Sequence, residues 1–289
     1  MKKWIFLLLI FVSCQSKNND YFELISENDV GLEAPLEGDW LFSHPEKGQT
    51  LSQFIDSKPV KPNSNLNIIY LEPLGKFENL QQKQIEITKE YLEIFYQIKV
   101  EILPQISEKT IPKFSRRIGS ENNEQLLASY ILDSILKPEK HKNQIALMAI
   151  SEMDLYPKPE WNYVFGLASY KDRVGVTSVF RFQDDKLIKQ NFNLCLTRLL
   201  KISSHEIGHM FGIFHCIHSK CVMNGTNNIG ETDNSTTRLC SECQQKIHFS
   251  FNINNQKRFL ELSKFFKKYK LDNELSWLNI DNSILISNQ

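Results

Sequence analysis

The chain has 289 residues and a mass of 33.8 kDa, with 41% hydrophobic and 24% charged residues, which is material for one large domain or two small ones around a substantial core. Lys and Arg number 34 and Asp and Glu number 34, so the formal net charge is zero, which argues against nucleic acid as a partner because such a surface needs a basic excess. Ten Pro and eleven Gly exclude collagen-like or low-complexity chains, and no internal apolar run approaches the length of a membrane-spanning helix.

The chain starts on Met1-Lys2-Lys3, and residues 4–12 are wholly apolar. That run is too short to cross a bilayer but suits the core of a signal peptide. It stops at Ser13-Cys14. Phe11-Val12-Ser13-Cys14 resembles a bacterial lipobox, in which a small residue precedes a Cys that is lipidated and becomes the new N-terminus. The resemblance implies a signal peptide over residues 1–13, a lipid anchor on Cys14, and an exported, membrane-anchored lipoprotein of the bacterial cell envelope, facing the periplasm or the surface. The other reading is a plain secretory peptide cut nearby, with Cys14 incidental. Residues 15–20 (QSKNND) are polar and read as a flexible tether. Residues 14–64 are thus tether and N-terminal extension, interrupted by Pro35, Pro45, Pro59 and Pro62, with Trp40-Leu41-Phe42 as the expected hydrophobic anchor on the main domain, residues 65–289.

Residues 66–71 (LNIIYL) read as a buried strand stopped by Pro73 and Gly75. Residues 78–96 carry apolar side chains near helical spacing, and residues 98–103 alternate as a strand. The spacing of Leu126, Leu127, Tyr130 and Ile131 predicts a helix over 121–136, ended by Lys137-Pro138. Residues 145–150 (IALMAI) are another buried strand. Residues 164–169 and 174–182 read as two strands joined by a tight turn at Lys171-Asp172. Residues 194–214 form a long apolar helix, 224–237 a polar loop and 257–269 a basic amphipathic helix. Strands interleaved with helices predict an α/β or α+β sheet with helices packed on it.

Residues 205–209 read His-Glu-Ile-Gly-His. Helix positions four apart differ by about 40° in azimuth and about 6 Å in height, so His205 and His209 present two imidazoles to one point, as zinc requires. Glu206 lies beside them, within reach of a metal-bound water. Gly212 and His215 follow. On a continuous helix His215 would stand about 9 Å beyond His209 on another face. A left-handed Gly212 can end the helix and return the chain, so that His215 completes a three-histidine site with one position open. This resembles the metzincin arrangement.

Cys216 follows His215 directly, then Cys221, Met223 and the pair Cys240 and Cys243. The metzincin helix joined to C-x4-C-x-M and a later C-x2-C resembles the archaemetzincin (archaelysin) family. The likeness extends upstream to Ile69-Tyr70-Leu71-Glu72-Pro73-Leu74-Gly75, Asp154-Leu155-Tyr156 and Phe165-Gly166-Leu167-Ala168, and covers residues 66–250. It implies a metzincin-like twisted mixed sheet packed on an active-site helix. It also implies two zinc ions per chain: a catalytic ion on His205, His209 and His215, and a structural ion on Cys216, Cys221, Cys240 and Cys243 in the C-terminal part. Met223 would be the Met-turn residue beneath the imidazoles. Two closely spaced Cys pairs are also a tetrahedral-zinc pattern in their own right. Disulfides, which an exported protein permits, are the rival, though C-x2-C suits chelation better. His218 is an alternative ligand by position, more simply a solvated loop residue. Cys195 reads as a buried thiol, and His44, His141 and His248 as structural or exposed.

The expected activity is a zinc metallopeptidase acting on a peptide or protein substrate, with Glu206 as general base. No Tyr follows Met223 closely, so no second oxyanion donor is identified. One of the strands over 164–169 and 174–182, preferably the first, should edge the cleft and pair with an extended peptide. The alternative is a catalytically inactive zinc-containing binding lipoprotein, against which the intact Glu206 speaks.

Overall fold

The computed structural model describes residues 21–183 and 186–282. The expected signal peptide over residues 1–13, Cys14 and the expected tether over residues 15–20 lie outside the described residues. Five strands build the main sheet: β1 (Ile68–Leu74), β2 (Lys99–Ile102), β5 (Gln144–Ser151), β7 (Gly166–Ser169) and β8 (Val174–Ser178). Their order is β2-β1-β5-β8-β7, parallel except for β7, which runs antiparallel at one edge.

β1 and β5 are near-continuous apolar runs because both faces of the sheet are covered. Ile69, Leu71, Ala146, Met148 and Ile150 point to one core, and Tyr70, Leu74, Leu147 and Ala149 point to another. Helices α3 (Asn79–Tyr96) and α4 (Phe192–Met210) cover the first face. α3 starts on a capping box between Glu78 and Gln81 and ends at Gln97 in the left-handed region.

β1 runs through Pro73, where the sequence predicts a stop. The Pro73 carbonyl accepts from Ile106, so the missing N–H faces that same side of the strand. There β2 has already ended, with Ile102 opposite Leu71, and no ladder bond is lost. Gly75, at φ +107°, ends the strand instead.

The predicted helix over 121–136 is a correction. β3 (Arg116–Ile118) and β4 (Glu124–Leu127) form a hairpin, and β4 pairs in parallel with β6 (Asp154–Tyr156) in a separate three-stranded sheet. Only Ala128–Tyr130 is α-helical, continuing as a wider π-helical turn over Ile131–Leu136. Tertiary pairing overrides the local spacing here. The buried Gln125 donates to Asp154 at 2.8 Å and to the Asn162 carbonyl at 2.9 Å, which fixes the segment as strand. The second expected strand of the 164–182 hairpin stops at Ser178, and Phe180–Phe182 is a tight 3₁₀ turn.

The region 224–237, read as loop, contains the short helix α5 (Ile229–Asn234), capped by Asn228. Beyond it lie α6 (Ser241–Phe251), α7 (Asn255–Tyr269) and α8 (Asp272–Asn279), of which only α7 was expected.

The N-terminal segment, with helices α1 (Trp40–Ser43) and α2 (Leu51–Asp56), is strapped onto the chain that follows α4. Gly31 bridges to Ser219, Asp29 accepts from Arg238 and Ser241, and Gln49 donates to the Gly212 carbonyl. Its hydrophobic anchor is not Trp40-Leu41-Phe42, because Phe42 is exposed and α1 buries no residue. Phe54 of α2, with Phe22 and Ile25, sinks into the core instead. Trp40 has a different position, described next.

Candidate metal centre and cleft

His205, Glu206 and His209 lie on the last turns of α4, all buried. The helix stops because Gly212 adopts φ +90°. Ile213 then donates to the Gly208 carbonyl at 3.1 Å and Gly212 to that of His209 at 2.9 Å, the paired bonds of a Schellman ending. The reversal carries His215 back over the helix. The three rings come to centroid separations of 4.4, 5.2 and 4.8 Å, and one nitrogen from each lies within 4.8 Å of the others.

The outer nitrogens define what the inner ones can do. His205 Nδ1 lies 2.8 Å from the Val222 carbonyl, His209 Nδ1 2.7 Å from that of Ile213, and His215 Nδ1 2.8 Å from Glu46 Oε1. Carbonyls and carboxylates only accept, so each Nδ1 carries the proton and each Nε2 keeps its lone pair. The Nε2 atoms of His205 and His209 stand 2.9 Å apart. Two lone pairs facing at that distance repel without a cation between them, so the donor set fits a metal ion. Burial and the neighbouring His215 push the His205 pKa down to about 3, which keeps the ring neutral and ready to ligate.

Burial pushes the Glu206 pKa up to about 8. β7 lies directly against this carboxyl. A Cβ on Gly166 would fall 2.5 Å from Glu206 Oε1, so only glycine leaves room there. A Cβ on Gly208 would likewise meet the Met223 thioether at 2.5 Å. Met223 is fully buried and packs against the helix turn that carries both ligand imidazoles.

Cys216, Cys221, Cys240 and Cys243 gather next to this centre, all buried, with their sulfurs within 4.8 Å of one another. All four are free thiols. Cys216 and Cys240 stand 3.7 Å apart, close to the roughly 3.8 Å edge of a sulfur tetrahedron about 2.3 Å from a central zinc. The Met223 and Cys240 backbone amides point at Cys221 Sγ, at 3.5 and 3.3 Å. Hydrogen bonds from the other three thiols lower the Cys216 pKa, whereas burial raises that of Cys221. The cluster can hold one tetrahedral ion. His218 is exposed and outside it. Cys195 is buried and donates to the Phe182 carbonyl.

A cleft of about 350 Å³ opens over the three imidazoles. β7, an edge strand, forms one wall, and residues 224–227 form part of the rest. Trp40 and Trp161 also line it. Trp40 lies against Gly225, where a Cβ would come within 2.4 Å of the indole. It stacks on His44 at 4.1 Å and meets His215 edge-on at 5.2 Å. Tyr170, at the end of β7, brings its hydroxyl within 3.1 Å of His209 Nδ1. A larger depression of about 760 Å³ between α4 and α8 is lined by no His or Cys, and the Lys201 ammonium in its wall is taken up by three backbone carbonyls and by Glu274 at 3.4 Å.

Sequence reasoning missed Glu46, Trp40, Gly166 and Tyr170 as parts of this site. Glu46 lies 169 residues from His215, and nothing local to it points there. Gly166 and Tyr170 had a signal, because the expected edge strand over 164–169 contains the first and stops just before the second.

Residues 120–249 match the family model described as Peptidase family M54. Archaemetzincin-2 of Rattus norvegicus is 30% identical over 260 residues, covering 79% of this chain and 72% of the relative. Archaemetzincin-2 of Mus musculus is 30% identical over 279 residues, covering 86% and 77%. The archaemetzincin of Pyrococcus horikoshii is 34% identical over 160 residues, covering 53% and 79%. Among solved structures, the archaemetzincin of Archaeoglobus fulgidus complexed with malonate superposes with a TM-score of 0.50 at 25% identity, over 62% of this chain and 99% of that one. The archaemetzincin of Methanopyrus kandleri gives 0.52 at 24%, over 65% and 97%, a likeness of fold.

Proposed function

The chain belongs to the archaemetzincin family and is a zinc metallopeptidase; from that premise we propose how its own residues divide the work. His205, His209 and His215 would hold the catalytic zinc, which when bound supplies a Lewis acid that activates water and polarises the scissile carbonyl. Glu206 takes the proton of the attacking water and passes it to the departing amine. Burial alone raises the pKa of this carboxyl, and a zinc cation beside it would favour the carboxylate again, the form that takes the proton. The edge strand β7 offers an extended peptide free backbone groups to pair with and delivers the scissile bond beside Glu206. The observation that carries this reading is the triple commitment of Nδ1 protons, which leaves three Nε2 lone pairs converging beside a buried glutamate.

We further propose a second zinc on Cys216, Cys221, Cys240 and Cys243, supported by the thiol spacing. Cys14 is proposed to be lipidated and to hold the enzyme on the cell-envelope membrane, supported by the apolar run and the Ser13-Cys14 boundary. The decisive experiment on function compares native and Glu206→Gln protein on a mixed peptide library, with zinc content measured on both. Cleavage by native protein with zinc retained but cleavage lost in the variant supports the mechanism. Equal cleavage sinks it. Fatty-acid labelling of native and Cys14→Ser protein tests the anchor, and an unlabelled native protein in the soluble fraction refutes it.

A further inference from the structure

The three imidazoles are not held alike. His205 and His209 stand on a regular helix and donate to backbone carbonyls. His215 lies beyond the helix end, on irregular chain, and its Nδ1 faces a side chain: Glu46 Oε1 at 2.8 Å and Oε2 at 2.9 Å. We propose that Glu46 is a positioning residue of the metal centre, its carboxylate holding the His215 ring so that Nε2 turns to the point shared with His205 and His209. The N-terminal segment thereby completes the site, and this deepens the zinc-peptidase reading on which it rests.

The carboxylate can only accept, so it fixes the Nδ1–H tautomer of His215 and, being anionic, raises the basicity of Nε2. Glu46 is itself held. Trp40 Nε1 donates to its Oε1 at 2.8 Å, while the Trp40 backbone N–H is taken by Glu231 Oε1 at 3.0 Å. The indole is seated on Gly225 and stacked on His44. Glu231 belongs to α5, and its Oε2 accepts from the Asn227 amide at 2.6 Å in the cleft wall. A line of directional bonds therefore runs from the cleft wall through Trp40 and Glu46 to the third ligand. Without it the ring of His215 has freedom that the two helix-borne rings lack.

The test uses full-length protein and two variants, Glu46→Ala and Glu46→Gln. Zinc is removed and titrated back against a chromophoric competing chelator, and imidazole tautomers are read in the metal-free proteins by nitrogen-15 NMR. Glu46→Ala should weaken zinc at the histidine site roughly 10- to 100-fold and lose the fixed Nδ1–H tautomer of His215, while His205 and His209 keep theirs. Glu46→Gln retains an accepting oxygen without the charge, so it should keep the tautomer and fall between native and Ala in affinity. Native affinity and an unchanged His215 tautomer in Glu46→Ala overturn the proposal. Should Glu46→Ala fail to fold, Glu46→Gln decides alone, and affinity within about twofold of native overturns it. A failure of the peptidase reading itself looks different: native protein would then bind zinc at the histidines, with the expected loss of affinity in Glu46→Ala, yet cleave no peptide.

Discussion

Glu206 and Gly166 form a matched pair, because the carboxyl occupies the space that any side chain on Gly166 would need. Glu206→Gln is expected to keep its zinc, since Glu206 is not a ligand, and to lose turnover by a factor on the order of a hundred or more. Gly166→Ala should also keep zinc and lose turnover, because its Cβ displaces Glu206 rather than an imidazole. Zinc analysis and peptide cleavage on both variants check this, and full turnover in Gly166→Ala would show that Glu206 has slack. A second buried carboxyl, Glu72 in β1, has one oxygen with no partner. Burial, and then the charge of Glu139, push its pKa from 4.5 to about 7. On raising the pH the unfolded chain gives up this proton first, so the native state binds more protons between pH 4.5 and about 7 and stability falls across that window. Glu72→Gln removes the effect. Its melting temperature relative to native should be near parity at pH 4 and rise towards pH 8, and a pH-independent difference would refute the assignment. At this scale the sequence made legible those residues that fall into a spaced motif, including His215 and the four Cys that follow the helix. His205, Glu206 and His209 announce themselves by spacing, whereas Glu46 and Glu72 owe their roles to chain brought in from far off.

Among the elements, the site depends most on where α4 ends. The sequence showed that His215 could not reach the metal on a continuing helix, and Gly212 at φ +90° is where the helix stops. Gly212→Ala forces a side chain into the left-handed region, at a cost of about 1 kcal/mol or more. The space around it is open, with the nearest atom to a new Cβ at 3.6 Å, so the penalty is conformational rather than steric. The chain can relieve it by extending the helix, which swings His215 away. The expected outcome is a variant that folds with a modestly lower melting temperature but binds zinc more weakly at the histidines. Unchanged zinc affinity, measured by competition with a chelator, would show that the return of the chain does not depend on Gly212. Elements whose burial follows from their own sequence, such as β1, α3, β5 and α4, were readable. β4 was not, because Leu126, Leu127, Tyr130 and Ile131 mimic a helical face. Its strand state is set by pairing with β3 and β6, and the turn that makes the hairpin, with Asn122 at φ +60°, was the overlooked sign.

Across the whole molecule, the two clusters are joined by one short stretch of chain. Cys216 follows His215, and Cys221 stands two residues before Met223. The other two thiols, Cys240 and Cys243, sit at the start of α6. The loop that delivers His215 and Met223 is therefore fastened at its far end by whatever the four thiols hold. Arg238 reinforces the same junction, since its guanidinium binds Asp281 near one end of the described chain and Asp29 near the other. His205 and His209 need no such support, because α4 is packed along its length. If both clusters hold zinc, the zinc lost on breaking one should consequently differ from that lost on breaking the other, because an ion closed in by four thiols survives a weakened neighbour better than the open three-histidine site does. His209→Ala removes a ligand from a rigid helix and is expected to leave about one zinc equivalent per chain, on the thiols, with the fold intact. Cys240→Ser opens the closed site, loosens the loop and should lower zinc below one equivalent, because the histidine site weakens with it. Elemental analysis of the two variants, beside native protein at about two equivalents, reads the asymmetry directly. A Cys240→Ser protein that keeps one firmly bound zinc and native turnover would show the two centres to be independent. The thiol cluster would then be a staple of the C-terminal helices alone.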